Sequence, residues 1–505
     1  MKKNMIQNSL VGFISQVIIL MMAMVIPRIV MINYGSDTNG LTNTVTQVFT
    51  YMALLGAGIG QATQNALYKY ISSKDRMGIS RVMSISRRYY RHVSLAYGFI
   101  ILIVSTVIPV VIKTEVSGIV VSVYVIFGGA ISLVSLYFTS LWIVFLNALG
   151  KSYITNIISL INKALLYAVI IVLSLGSVNI AIIQIGCFIV SLIPLVFYTI
   201  YMKKNYSWID YGSVDAGEKL PDRNAYVVSE VSWTVFSSTD MIILSVLVST
   251  KMASVYATYS MVFAALETLL NAVYYSIKYL LGYTYHDKRE EYAKVHDIFN
   301  SIFVGSSVVL LSVCYWLILP FVRMYTEGVT DMDYVMVWLP LGFSLVKLLS
   351  RSRMVAGNLT GIAGYAKQVS YISFIEAMIN IILSIVLAGR YGIYGVLYAT
   401  VIAILIKALY VNYLADCKIM SRKCSSTVLI FFGNYVVFAI TVFLQFRNPL
   451  DVETFRSFFF CGIGLLSVYS IVVFAVNVLI NKSFRKYLAV QMIKLTGKDH
   501  NCKES

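Results

Sequence analysis

The chain has 505 residues, 59% of them apolar and only 12% charged, with a formal net charge of +17 from 40 Lys+Arg against 23 Asp+Glu. A soluble domain carries about 45–50% apolar and about 25% charged residues, so a soluble enzyme, a disordered chain and a single-pass receptor with a large ectodomain are excluded. Mean hydropathy is +0.79, and roughly fourteen spans of about 21 residues would absorb the apolar share, leaving little for soluble domains.

After Lys2-Lys3 comes an apolar run from Leu10 to Ile32. It is too long for a signal-peptide core and lacks a small-residue cleavage site, so it reads as an uncleaved first helix. Spans follow near 41–68, 93–112, 118–146, 154–176, 179–202, 224–249, 253–282, 298–322, 334–357, 368–388, 392–414, 427–446 and 457–480, fourteen in all. Sorted by alternate loops, 29 basic residues fall on one side and 7 on the other, with four inside spans. That asymmetry predicts a multi-pass protein of the cytoplasmic membrane with both termini in the cytoplasm, and it explains the net charge without nucleic acid. The six cysteines show no framework spacing and are expected to be reduced.

The chain repeats itself at a period near 213 residues. Lys74-Asp75-Arg76 recurs as Lys288-Arg289-Glu290, Pro109 as Pro320, Gly150-Lys151 as Gly364-Tyr365, and Gly176 as Gly389. Six spans separate the copies, so both have the same membrane orientation. The predicted fold class is an all-α polytopic membrane protein of about 14 transmembrane helices: two six-helix repeats around a central cavity, plus two C-terminal helices. The domain plan is a lobe over 1–202, a cytoplasmic linker over 203–222, a second lobe over 223–415, two helices over 416–480 and a basic cytoplasmic tail over 481–505.

Eight ionisable residues lie inside spans: Glu230, Asp240, Glu267, Glu376, Lys163, Lys278, Lys347 and Lys407. Each costs roughly 2.5–3.5 kcal/mol on insertion scales, so each needs compensation. In span eight, Tyr256, Ser260, Phe263, Glu267, Asn271, Tyr274 and Lys278 recur at helical spacing and share one face. Glu230, Trp233, Ser237 and Asp240 do so in span seven, and Gln47, Tyr51, Gly58, Gln61 and Asn65 in span two; span one adds Gln16 and Pro27-Arg28. The simplest assembly turns these four helices toward a hydrated central cavity, making Arg28, Gln16, Gln47, Gln61, Asn65, Glu230, Asp240, Glu267, Asn271 and Lys278 the candidate substrate-binding residues. Isolated Ser, Asn or Gln residues also fit plain interhelical hydrogen bonding. Lys163 and Glu376 are repeat-equivalent, each suited to a buried partner within its own lobe or to the cavity. Lys347, with Arg351, and Lys407 lie near cytoplasmic span ends, where snorkelling accounts for them. Gly56-Ala57-Gly58-Ile59-Gly60 follows no strand, so it reads as close helix packing rather than a phosphate loop.

No H-E-x-x-H, Walker loop or Cys/His metal spacing is present, so no catalytic residue, metal or cofactor is expected. Two basic amphipathic stretches, 77–91 and 482–495, read as interfacial helices on an anionic inner leaflet.

Pro27-Arg28-Ile29-Val30, Tyr34-Gly35 and Asn39-Gly40-Leu41 resemble the first-helix end and following turn of bacterial polysaccharide exporters. Asp240-Met241-Ile242-Ile243-Leu244 with Val255-Tyr256 resembles their second-lobe counterpart, and Gly392-Ile393-Tyr394-Gly395-Val396 with Ala399-Thr400 the start of their twelfth helix. These are lipid-linked oligosaccharide flippases of the multidrug/oligosaccharidyl-lipid/polysaccharide exporter superfamily, and the similarity covers about residues 1–415. The resemblance implies a two-lobe transporter, not an enzyme, that moves an undecaprenyl-diphosphate-linked glycan to the outer leaflet by alternating access. It also implies membrane lipids as partners, H⁺ or Na⁺ as a coupling ion, and a polysaccharide polymerase or glycosyltransferases as companions. Arg28 matches the family's cationic cavity, whereas spans seven and eight carry three acids and one lysine. A cation-coupled drug or metabolite antiporter of the same superfamily is the alternative, since Asp240 and Glu267 suit a cationic substrate. A membrane glycan polymerase or polyprenyl-dependent glycosyltransferase is more distant, because the outer loops are too short for its catalytic acids.

Overall fold

A computed structural model describes residues 2–56, 59–212, 231, 234, 238–287 and 289–495. The described residues are helical with no strand, and nine helices among them are long and apolar enough to cross a membrane. The chain divides into two compact units, Met1–Ala257 with Gly328–Met332, and Thr258–Glu327 with Asp333–Ser505.

The first unit opens with α1, Lys2–Ala53. Spans one and two, expected as separate helices, run on through a single break at Gly35, whose φ of 82° and ψ of 170° glycine alone adopts cheaply. Helix α2 follows over Ile59–Ser72, α3 over Arg76–Val111 and α4 over Gly118–Ala148. Asp75 caps α3 by accepting the Gly78 N–H at 3.0 Å, and a π turn at Ser135–Thr139 interrupts α4. Next come α5, Ser152–Leu175, α6, Ile180–Asn205, and the short α7, Ser238–Leu247.

The stretch 77–91, expected as an interfacial helix, is the first part of α3. Ile79 and Val82 are buried and pack with Leu67 and Phe145 in the unit's core. The first part of the expected linker is docked there too. Lys151 lies 5.4 Å from the Tyr206 ring, Arg76 5.2 Å from Trp208 and Arg87 4.7 Å from Tyr211, so three cations cap three aromatic faces. The Tyr206 hydroxyl accepts from Lys151 Nζ at 2.8 Å, a bond that holds the ammonium above its usual pKa. Burial pushes the Tyr211 phenol up, against the opposing pull of Trp142 Nε1 and Arg87. The remainder of the linker, from 213, lies outside the described residues.

Helix α8, Thr250–Asp287, passes from the first unit into the second. The second unit is built on α9, Arg289–Tyr325, most of which is buried. Around it come α10, Leu339–Ser352, α11, Met354–Ile362, and α12, Ala366–Tyr413, the last broken at Gly392 where spans eleven and twelve were expected to part. Helices α13, Ser425–Arg447, and α14, Phe455–Ile480, lie against α9 through polar bonds within the apolar layer. Asn434 and Asn477 exchange amide bonds at 3.1 and 3.0 Å, Thr441 donates to Ser312 at 3.2 Å, and Trp316 Nε1 donates to Tyr469 at 2.8 Å. Arg422, just before α13, grips Asp297 with two nitrogens at 3.0 and 2.6 Å and Asp416 with Nε at 2.8 Å. A final helix, α15, covers Lys482–Leu495 and anchors by burying Phe484.

Candidate functional site

Helical spacing assembles the first cluster. Glu267 and Asn271 lie four residues apart on α8, and Lys347 and Arg351 four apart on α10, so two pairs meet face to face. Lys347 Nζ donates to Glu267 Oε2 at 2.6 Å. Arg351 bonds Glu267 Oε1 through Nη2 and Asn271 Oδ1 through Nη1, the latter at 2.7 Å. The Glu267 and Lys347 side chains keep 26% and 23% of their surface accessible, whereas Arg351 keeps 2% and its Nε finds no acceptor. Above and below on the same face of α8, Phe263 stacks on Phe343 at 5.3 Å and Tyr274 donates to the Met354 carbonyl at 3.3 Å.

A second cluster sits deeper in the same unit. Glu376 on α12 is 2% exposed; its Oε1 accepts from Arg353 Nη1 and its Oε2 from Lys407 Nζ, both at 2.7 Å. Lys347 and Lys407, expected to snorkel, instead hold carboxylates, Glu267 half-buried and Glu376 buried. The reason is energetic: a carboxylate in a packed interior needs a bonded counter-charge more than the lysine needs water. Arg351 and Arg353, sorted with loop cations in the sequence, are buried at 1% and 8%. Four cations therefore meet two carboxylates in these two clusters.

In the first unit the expected Asp240 is buried at 7% on α7, and its Oδ2 accepts the Tyr256 hydroxyl at 2.7 Å. Tyr51 bonds the neighbouring Thr239 hydroxyl. Gln47 approaches Met241 Sδ, at 3.9 Å. Arg28 lies half-buried on α1. The side chains of Gln16, Gln61, Asn65 and Lys278 and the whole of Glu230 lie outside the described residues.

A third cluster escaped the sequence reading. Just past the Gly35 break, Asp331 accepts from the Ser36 N–H at 2.8 Å and from its hydroxyl at 2.7 Å. Asp37 accepts from Thr114 Oγ1 at 2.6 Å, from the Glu115 N–H at 2.9 Å and from the Thr250 hydroxyl. Asn39 donates to Ser254 at 2.7 Å. Asp37 and Thr250 are 213 residues apart, the spacing of the internal repeat, so corresponding turns of the two copies bond each other. The repeat spacing is the one signal in the sequence from which this apposition could have been found. Among the described residues no group of three His, Cys, Asp or Glu gathers as a metal site.

No family model and no curated protein sequence matches the chain. Solved structures do. A lipid II flippase MurJ in an inward closed conformation superposes with a TM-score of 0.68 at 15% identity, covering 93% of this chain and 99% of its own. An inward-facing multidrug resistance MATE family transporter of the MOP superfamily gives 0.65 at 12%, covering 81% and 98%. A MOP superfamily transporter from Pyrococcus furiosus, titled for the reverse polarity of its binding pocket, gives 0.55 at 12%, covering 83% and 96%. The chain thus has the polytopic helical fold of MOP-superfamily transporters, as the resemblance implied.

Proposed function

We propose that this chain is a transporter that flips an undecaprenyl-diphosphate-linked oligosaccharide across the bacterial cytoplasmic membrane by alternating access, in surface or capsular polysaccharide biosynthesis. One observation carries the choice of a polyanionic headgroup: four cations, Arg351 and Arg353 buried and Lys347 and Lys407 half-buried, around two carboxylates in the second unit. Such an excess is costly in a membrane protein and is repaid when phosphate oxygens complete it. Lys347, the more accessible member, exchanges Glu267 for phosphate, while Arg351 holds the carboxylate in place. The lipid II flippase among the structural neighbours supports the same substrate chemistry.

The test is flipping of a fluorescent undecaprenyl-diphosphate oligosaccharide in proteoliposomes. Lys347→Gln should slow flipping at least tenfold with the protein still monodisperse. Unchanged flipping by that variant would remove the cation excess from the mechanism.

A second reading, a cation-coupled drug or metabolite antiporter, is favoured by Asp240, a buried carboxylate on α7 that accepts the Tyr256 hydroxyl. It predicts pH-dependent ethidium efflux abolished by Asp240→Asn, with no effect of Lys347→Gln.

A further inference from the structure

The basic end of α3 carries a cavity that neither ion cluster uses. It measures about 650 Å³ and is lined by Arg87, Arg88, Arg91, His92, Tyr137 and Tyr211, with Leu95 at its edge. Three guanidiniums and an imidazole thus converge on one concavity. The His92 Nδ1 lies 2.8 Å from the Arg88 carbonyl and must donate to it, which turns Nε2 away from the helix. The docked linker forms the far wall. Tyr211 is fixed by the Arg87 guanidinium over its ring and by Trp142 Nε1 at 3.2 Å from its hydroxyl. Ser84 donates to the Asp210 carbonyl at 3.1 Å, and the Asp210 carboxylate is engaged by the Gly212 N–H at 2.9 Å. The wall is therefore built by named bonds.

The surroundings identify the class of occupant. Along the same face of α3, at steps of three and four residues, Arg88, Arg91 and His92 give way to Leu95, Phe99 and Leu102, which are 66%, 66% and 58% exposed. The π turn of α4 puts Tyr137 and Phe138 beside them, 39% and 41% exposed. Within one helical turn the surface changes from guanidinium to bare hydrocarbon. A soluble anion would use only the basic half. A lipid with a phosphate headgroup uses both, its phosphate among the arginines and its chains along Leu95, Phe99 and Leu102.

We propose that this cavity, on the first unit, is a binding site for the phosphate headgroup of an anionic membrane lipid. It does not rest on the flippase reading.

The test uses the full chain in nanodiscs, with lipid retention measured by native mass spectrometry. Probes are phosphatidylglycerol, phosphatidylcholine and free inorganic pyrophosphate. Phosphatidylglycerol should be retained over phosphatidylcholine, and R88Q/R91Q should weaken it about twentyfold, from about fivefold per basic residue at an anionic surface. R88K/R91K should keep most of the binding. Should R88Q/R91Q fail to fold, the exposed single variant Arg91→Glu carries the test and should weaken retention at least tenfold. Equal retention by R88Q/R91Q or by Arg91→Glu, or equal retention of phosphatidylcholine, would overturn the proposal. Complete displacement by pyrophosphate would overturn it as well, by assigning the cavity to a free phosphate.

Discussion

Gly40 is where the contact between the two repeats' turns is most exposed to a single substitution. A Cβ there would lie 1.7 Å from the Thr250 carbonyl oxygen and 3.1 Å from the Ser254 nitrogen. Carbon contacts settle near 3.5–4.0 Å, so Gly40→Ala must part α1 from the start of α8 by roughly 1.5–2 Å. That parting breaks the Asn39–Ser254 and Asp37–Thr250 bonds, both buried. Each buried bond left unmade costs about 1–3 kcal/mol, so the joined arrangement loses about 2–6 kcal/mol. At about 1.4 kcal/mol per factor of ten, its population falls roughly thirtyfold to ten-thousandfold. The assay is oxidative cross-linking of Thr44→Cys with Ser245→Cys in a cysteine-free background, since those two hydroxyls touch in the native chain. Gly40→Ala should cut the disulfide yield at least tenfold and depress transport with it. Gly357→Ala is the control, because nothing lies within 4 Å of its Cβ position on α11. Full cross-linking in Gly40→Ala would show that the backbones yield without separating, and would refute the reasoning.

Three further outcomes are expected. Glu376→Gln leaves Arg353 and Lys407 without a carboxylate and should destabilise the detergent-solubilised protein by about 3–5 kcal/mol; thermal unfolding should show at least half of that recovered by adding Lys407→Met, and equal loss in both would contradict the pairing. Asn434→Leu and Asn477→Leu should each cost about 1–3 kcal/mol by stranding the partner amide, while the double variant costs less than the sum of the two, read from a double-mutant cycle. Impermeant maleimide should label Glu327→Cys and Asn448→Cys in whole cells and leave Ser73→Cys and Lys423→Cys unlabelled; labelling of Ser73→Cys would reverse the expected topology.

Hydrophobic runs and turn glycines made much of the helical layout legible. Gly35 falls in the turn motif after the first helix and Gly392 at the start of the twelfth-helix motif, and both prove to be backbone breaks inside otherwise continuous helices. The face of span eight was legible as well, because helical periodicity lines up Phe263, Glu267, Asn271 and Tyr274 whatever their partners are. The partners were not legible. Lys347 and Arg351 are near a span end in sequence, and a positive charge there obeys the topology rule and the snorkelling rule equally well. Only a carboxylate on another helix distinguishes a pairing cation from a topological one, and that carboxylate is 80 residues away for Lys347 and 84 for Arg351. The same holds for Asp37 and Asp331, which look like ordinary loop acids. The docked start of the linker was missed because Tyr206, Trp208 and Tyr211 carry no periodicity, and their meaning lies in the cations that cap them.

Counting charges by span therefore misjudges the polarity of a site in a predictable direction. Acids inside spans are conspicuous because they have no topological excuse, whereas basic residues at cytoplasmic ends are absorbed by the positive-inside rule. A sequence count gives spans seven and eight three acids and one lysine, which suggests an anionic path. Once Lys347, Arg351, Arg353 and Lys407 are placed, the Glu267 and Glu376 carboxylates become the minority in their clusters. Each carboxylate thus holds two cations together. Asp240 is different, for its described bond is to a neutral phenol. Charge is thus uneven between the units: the second gathers four cations around two carboxylates, and the first holds Asp240 against a phenol. On the flippase reading proposed above, substitutions at Lys347 and at Asp240 should therefore have different effects, and a transport assay that varies substrate and pH separately reads the difference.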